Sequence, residues 1–150
     1  MPLGFRYQAL RISGILLVLL GILHLAVTPT IASFVRRATL PAYSAWLTPP
    51  MLLNHVVVGV LLLPLGVLTA YAAPHAARGA GWALMVVRST ALAVAALPVT
   101  LFWLMGRRYF AAVPFQVATG IVCVGAVLVV LAAFWPMRPG AEVAGSKRGR

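Results

Sequence analysis

Residues 113–135 read VPFQVATGIVCVGAVLVVLAAFW, an apolar stretch that contains no charged residue. A membrane-spanning α-helix needs about 20 consecutive, mostly apolar residues to cross the hydrocarbon core of a bilayer. Pro114 suits the first turn of a helix, and Pro136 suits the position just after its end. The stretch therefore predicts a transmembrane helix over residues 113–135.

Three further apolar stretches precede this one and predict helices over about residues 8–28, 51–73 and 81–105. Prolines mark several of the predicted ends, at Pro29, at Pro49-Pro50 and at Pro74. A cleaved leader is the rival interpretation of the first stretch, but His24 interrupts its apolar region. The predicted fold is an all-α membrane protein, with residues 1–136 forming an antiparallel bundle of four transmembrane helices.

Two segments outside the predicted helices have their own character. Residues 34–48 mix Arg36, Arg37, Tyr43 and Trp46 with apolar residues, which predicts a short interfacial segment between helices 1 and 2. Residues 137–150 are rich in Pro, Gly, Lys and Arg, which predicts a basic, disordered cytoplasmic tail. Such a tail would rest on anionic lipid head groups.

The overall composition also indicates a membrane as the solvent. The 150 residues are 63% hydrophobic and 9% charged, with a mean hydropathy of +1.02, whereas a soluble domain carries about 25% charged residues. Twelve Lys and Arg residues stand against one acid, for a net charge of +11. Because the arginines lie at the ends of apolar stretches, they indicate membrane orientation and not nucleic-acid binding.

The distribution of the basic residues predicts the orientation. Cytoplasmic segments of membrane proteins carry an excess of Lys and Arg. The N-terminal segment, the second loop and the tail hold more of them than the first and third loops. We therefore expect both termini in the cytoplasm, in a bacterial-type plasma membrane. The first group is Arg6, Arg11, Arg78, Arg138, Lys147, Arg148 and Arg150, and the second is Arg36, Arg37, Arg107 and Arg108.

The composition excludes several kinds of chemistry. Glu142, the one acid, lies in the tail, so the chain cannot supply paired carboxylates for hydrolysis or for a proton relay. Cys123 is the one cysteine, so neither an intrachain disulfide nor a thiolate cluster for a metal can form. No catalytic residue and no metal site is predicted, and enzymatic activity is not favoured.

A group of polar residues at similar predicted depth is the candidate site. His24 lies near the outer end of the first helix, and His55 lies near the outer start of the second. Asn54, Thr28 and Gln116 fall at the same level and would complete a polar layer in the outer third of the bundle. Polar groups at membrane depth are costly, so they indicate a function unless they pair with one another.

One hypothesis is a haem b bound axially by His24 and His55. Gly21 and Gly59 would leave room for the macrocycle between the helices. Basic residues at the outer edge would bind its propionates, or lipid phosphates if the site is a lipid pocket. These residues are Arg36, Arg37, Arg107 and Arg108.

Two alternatives to the haem remain open for the same residues. The imidazoles and amides could hold the carbonyl of a quinone in an apolar pocket. They could also bond one another across the helices with no ligand, a contact worth about 0.6 to 2 kcal/mol.

Arg88 is the one charge predicted deep inside a helix. Either its side chain extends to the interface, or it faces inward and needs a counter-anion from a partner subunit or a substrate.

Three functions follow from these features. The first is a non-catalytic accessory or assembly subunit of a membrane complex, whose partner supplies acidic residues. The second is a haem- or quinone-binding redox protein that uses His24 and His55. The third is a small transporter, which is disfavoured because the polar layer lies near one side of the membrane.

Overall fold

The computed structural model describes residues 3–38, 41–104 and 113–135, and every helix in this part is an α-helix. The elements are α1 (Leu3–Ala38), α2 (Pro41–Ala77), α3 (Gly81–Leu104) and α4 (Val113–Phe134). All four helices are long and apolar enough to cross a membrane. The predicted tail over residues 137–150 lies outside the described residues. The same is true of Arg107 and Arg108, which precede α4.

The first two helices are longer than the sequence pattern predicts. α1 has 36 residues and α2 has 37, which at a rise of about 1.5 Å per residue gives each a length of roughly 54 Å. The hydrocarbon core of a bilayer is about 30 Å thick, so both helices exceed it. Within the range 34–48 predicted as a separate interfacial segment, the described residues belong to the two helices: residues 34–38 end α1, and residues 41–48 begin α2.

Prolines explain why the predicted bounds of α1 and α2 differ from the observed ones. Pro29 lies inside α1, and Pro49, Pro50 and Pro74 lie inside α2. A proline removes one backbone hydrogen bond, but apolar helices of membrane proteins tolerate it because neighbouring groups satisfy the freed carbonyl. The prolines therefore interrupt the hydrogen-bond ladder of these helices without ending them.

The end of α2 is instead formed by a glycine turn. Gly79 adopts a positive φ of 87°, which residues with a Cβ rarely adopt. The amide of Gly79 donates to the carbonyl of Ala76 (3.1 Å), and the amide of Ala80 donates to that of His75 (3.0 Å). This pair of bonds is the Schellman motif, and it turns the chain directly into α3.

The structure divides into two compact units, which are described separately. The hairpin unit is formed by residues 11–71, and the terminal unit by residues 1–10 together with residues 72–150.

In the hairpin unit, α1 and α2 approach each other at glycines. A Cβ added to Gly14 would lie 2.7 Å from the carbonyl oxygen of Gly66, and one added to Gly21 would lie 2.9 Å from that of Gly59. As residue numbers rise along α1 the partners fall along α2, so the helices are antiparallel. Small residues permit this close approach, which gains dispersion energy between the helices. This gain matters in lipid, because the hydrophobic effect does not drive helices together there.

In the terminal unit, α3 packs against α4. The buried positions of α3 recur at three- and four-residue intervals, as expected for one face of a helix: Ala83, Leu84, Val87, Thr90, Ala91 and Val94. Each of the four helices also exposes large apolar side chains, such as Leu19, Val67, Leu92 and Val127. So many exposed apolar side chains are unusual for a soluble protein and suit a lipid surrounding.

Candidate functional site

The two histidines of the predicted polar layer lie side by side in the hairpin unit. The ring centroids of His24 and His55 are 4.3 Å apart, and the ring planes are inclined by 27°, so the rings are stacked. Both residues are half-buried. The sequence left open whether the two side chains face each other, and the structure places their rings in contact. Their role as ligands stays a prediction.

Helix packing produces this stack. His24 follows Gly21 by about one turn in α1, and His55 precedes Gly59 by about one turn in antiparallel α2. Because the backbones nearly touch at Gly21 and Gly59, the next inward-facing side chains meet directly. Two flat rings fill that space with little lost conformational freedom.

The hydrogen bonds around the pair are mostly local. The Thr28 hydroxyl donates to the backbone carbonyl oxygen of His24 at 3.0 Å, one turn back in the same helix, which is the usual fate of a threonine in an apolar helix. The Nε2 atom of His55 is buried and has no hydrogen-bond partner in the described structure. A buried polar atom without a partner carries a desolvation cost of about 1 to 3 kcal/mol.

The positions of the His24 and His55 rings show whether a haem would fit between them. Axial ligation needs one imidazole on each face of the macrocycle, with a ring nitrogen directed at the iron. The stacked rings of His24 and His55 have no room for a macrocycle between them, and the space at Gly21 and Gly59 is filled by the facing helix. Haem ligation would therefore require the two rings to separate.

Two other predicted members of the layer are exposed on their own helices. Asn54 is exposed on α2, next to His55 in the chain. Gln116 is exposed on α4, which belongs to the terminal unit. Of the predicted layer, the hairpin unit brings together His24, His55 and the Thr28 hydroxyl.

Two of the four arginines expected to bind an anion lie within the described residues. Arg36 and Arg37 are exposed in the last turn of α1, where a positive charge suits the negative end of the helix dipole. Arg107 and Arg108 lie outside the described residues.

Arg88 is exposed, and its guanidinium carbon lies 5.6 Å from the centre of the Phe134 ring. Because Phe134 is the last residue of α4, the charged group of Arg88 reaches the end of that helix. This position favours a side chain that extends toward the interface over one that points into the middle of the membrane.

Sequence reasoning missed the role of Arg6, which it counted only as an orientation charge. The residue is 4% exposed, and it donates from Nε to the carbonyl oxygen of Ala132 and from Nη2 to that of Ala133, both at 3.2 Å. Arg6 shares a helical stripe with Leu10, Ser13 and Leu17, which are all buried on α1, but the sequence alone does not show that this stripe is the buried one. A charge on the buried stripe of a helix requires partners.

Among residues 3–38, 41–104 and 113–135, no group of three or more His, Cys, Asp or Glu side chains could hold a metal ion. Cys123 is half-buried in α4 with a free thiol.

The chain was compared with protein families, curated proteins and solved structures. No protein-family model, no curated protein and no solved structure matches it.

Proposed function

We propose that this protein is a non-catalytic subunit of a membrane complex, built as a bundle of four transmembrane helices with both termini in the cytoplasm. It associates laterally with a second membrane protein through the small-residue surfaces of α3 and α4. A contrast between packed and open glycines is the observation that supports this proposal.

Glycines in the hairpin unit are enclosed by the facing helix. A Cβ added at Gly66 would lie 2.6 Å from the carbonyl oxygen of Gly14 and 2.7 Å from the backbone nitrogen of Val18. In α4 the opposite holds, because a Cβ added at Gly120 or Gly125 would meet nothing within 4 Å. Glycine weakens a helix by up to about 1 kcal/mol relative to alanine, so an open glycine in a spanning helix is explained best by a close neighbour that is a separate molecule.

A stripe of small residues on α3 supports the same conclusion. Ser89, Ala93, Ala96 and Thr100 are all exposed, and at 100° per residue they fall within about 60° of one another around the helix. In lipid, small residues mark the places where helices touch. We name this surface the α3 stripe and assign it to the partner's helix.

The charges of the chain indicate the chemistry of the partner. The described residues include no Asp or Glu, while Arg36 and Arg37 are exposed at the end of α1. A partner that supplies acidic side chains at that end would pair with them at the edge of the membrane, where such pairs also select the correct partner.

The proposal is tested by site-specific photo-crosslinking in native membranes. A photoreactive amino acid at position 96 of the α3 stripe should give one discrete protein adduct, and Ala93→Leu should abolish it by separating the two helices. The same group at Leu61, which is exposed on α2, is the matched control and should label lipid only. Equal adducts from both positions, or none from position 96, would refute lateral association through this stripe.

A redox function is the second candidate, and the buried Nε2 of His55 favours it. A quinone carbonyl could accept a hydrogen bond from this nitrogen beside the stacked rings, without the rearrangement that a haem b requires. Arg36 and Arg37 at the end of α1 would then serve the polar part of the ligand or lipid phosphates.

Two measurements on the protein purified in mild detergent test this candidate. A reduced-minus-oxidised absorption spectrum with a sharp α-band, lost in His24→Ala and His55→Ala, would establish a bis-histidine haem. Solvent extraction of the colourless protein should yield quinone in molar proportion if the pocket binds one, and His55→Leu should remove it. A colourless and quinone-free protein from replete cells refutes the redox function.

A further inference from the structure

The C-terminal end of α4 is bound by an arginine from another helix. Arg6 of α1 donates to the carbonyl oxygens of Ala132 and Ala133. These carbonyls belong to the last turn of α4, where no further helical amide is available to pair with them. The guanidinium also carries a positive charge to the negative end of the helix dipole, so Arg6 fastens the start of α1 to the end of α4.

These two bonds leave one nitrogen of the Arg6 guanidinium without an acceptor. Its third nitrogen, Nη1, is buried and has no hydrogen-bond partner. The residue as a whole is only 4% exposed, so water does not readily reach this nitrogen. A buried donor of a charged group is costly to leave without an acceptor. The site therefore lacks one acceptor atom.

A second guanidinium lies at the same end of α4. Arg88 extends from α3 to the ring of Phe134, which directly follows the two residues bound by Arg6. Helical side chains lean toward the N-terminus of their own helix, which carries the charge of Arg88 toward this end. Arg88 is exposed, and its guanidinium carbon lies 5.6 Å from the centre of the Phe134 ring.

Nothing in the described residues neutralises this pair of charges, because they include no Asp or Glu. Both positive charges lie at the same end of α4, and like charges repel each other more strongly where bulk water does not screen them. An anion with several oxygen atoms would remove the repulsion and could accept hydrogen bonds from both guanidinium groups. Arginine forks match the geometry of phosphate oxygens especially well.

We propose that Arg6 and Arg88 bind the phosphate group of an anionic phospholipid at the C-terminal end of α4. Arg88 is the accessible arm of the site, and Arg6 is the buried arm, whose Nη1 receives its missing acceptor from a phosphate oxygen. Two tryptophans of the same unit, Trp82 at the start of α3 and Trp135 after α4, are exposed. Exposed tryptophans at helix ends lie at the level of lipid head groups, which favours a lipid as the source of the phosphate.

The test measures lipid retention and affinity on the full chain. The protein is purified in mild detergent and titrated with phosphatidylglycerol or phosphatidylcholine, with bound lipid counted by native mass spectrometry. The wild type should retain one phosphatidylglycerol per chain and prefer it to phosphatidylcholine. Arg88→Gln should weaken phosphatidylglycerol binding about tenfold or more, because one charge-assisted bond to phosphate is lost. Arg78→Gln, which removes an exposed arginine from the turn between α2 and α3, is the matched control and should bind like the wild type.

Further measurements distinguish a lipid phosphate from inorganic phosphate and from the carboxylate of Glu142 as the bound anion. Inorganic phosphate added in phosphatidylcholine nanodiscs should not raise the melting temperature, whereas phosphatidylglycerol nanodiscs should raise that of the wild type but not that of Arg88→Gln. Equal stabilisation by inorganic phosphate would overturn the lipid as the source. Glu142→Gln should leave lipid binding unchanged. If it instead binds lipid more tightly than the wild type, the tail carboxylate is the natural occupant and the proposal is wrong. Unchanged binding in Arg88→Gln also refutes it.

Discussion

Single residues in this chain carry roles that depend on what lies across from them. Gly66 and Gly120 are both glycines in apolar helices, yet the first is enclosed by the backbone of α1 and the second faces open space. Arg6 and Arg37 are both arginines near ends of the same helix, yet the first is buried against α4 carbonyls and the second is exposed. Each pair offers a matched experiment.

We expect Gly66→Ala to destabilise the protein and Gly120→Ala to leave it unchanged or slightly more stable. The methyl group at position 66 would meet backbone atoms of Gly14 and Val18 at 2.6–2.7 Å, which cannot rotate away. The helices must separate, at a cost of about 1 to 3 kcal/mol. At position 120 the gain in helix propensity is at most about 1 kcal/mol. Unfolding in mixed detergent micelles measures both, and equal stability losses would contradict the glycine contrast.

Replacement of Arg6 by glutamine should lower the free energy of unfolding by about 2 kcal/mol. Two charge-assisted hydrogen bonds to the end of α4 are lost, and the carbonyls of Ala132 and Ala133 lose their donor. Arg37→Gln should change the stability by less than about 0.5 kcal/mol, because surface substitutions usually do. The comparison uses the same micelle titration, and a stability of Arg6→Gln equal to that of Arg37→Gln would show that the fastening is unimportant.

At the scale of elements, a local motif and not a proline ends α2. Pro49, Pro50 and Pro74 all lie within α2, which continues to Ala77. The chain turns only where Gly79 adopts its positive φ and the two Schellman bonds form. The backbone conformation at one glycine thus places the start of α3.

Gly79→Ala should therefore destabilise the protein by about 1 to 2 kcal/mol, which is the cost of a left-handed conformation for a residue with a Cβ. Gly81→Ala is the control, because Gly81 begins α3 and an added Cβ meets nothing within 4 Å. Thermal melting in detergent measures the difference. A melting temperature of Gly79→Ala at or above that of Gly81→Ala would be incompatible with the Schellman turn.

At the scale of the whole molecule, the described residues form four helices that are each long and apolar enough to cross a membrane. Four crossings would put both termini on one side, and the surplus of basic residues in the N-terminal segment, second loop and tail leads us to expect that side to be the cytoplasm. Reporters fused at residue 150 and in the loop near residue 40 provide the measurement. The first should be active only in the cytoplasm and the second only outside. A C-terminal reporter active only outside would reverse the orientation.

Much of the fold could be predicted from the sequence because hydropathy is a local property. Apolar stretches and their lengths predict four helices without reference to any contact. The bounds of α1 and α2 could not be predicted in this way, since a proline acts on one hydrogen bond and the surrounding protein decides whether the helix survives. For the same reason Gly79, and not Pro74, ends α2.

The candidate site was predictable in part. Antiparallel helices and the spacing of His24 and His55 place the two imidazoles at one depth, and the structure brings them together. Their stacking, and the filling of the space at Gly21 and Gly59 by helix backbone, depend on how closely α1 approaches α2. That distance depends on side chains far apart in the chain, so no local pattern reveals it.

The sequence by itself determined that this chain is helical, apolar, basic and almost without acids, because these properties add up residue by residue. Only the tertiary structure decided which glycines are enclosed, that Arg6 of the first helix binds the last carbonyls of α4, and that Arg88 reaches the same end. The physical reason is that hydrogen bonds and close packing act over a few ångströms between residues separated by dozens of positions, and by more than a hundred in the case of Arg6. Such contacts exist only once the helices have packed.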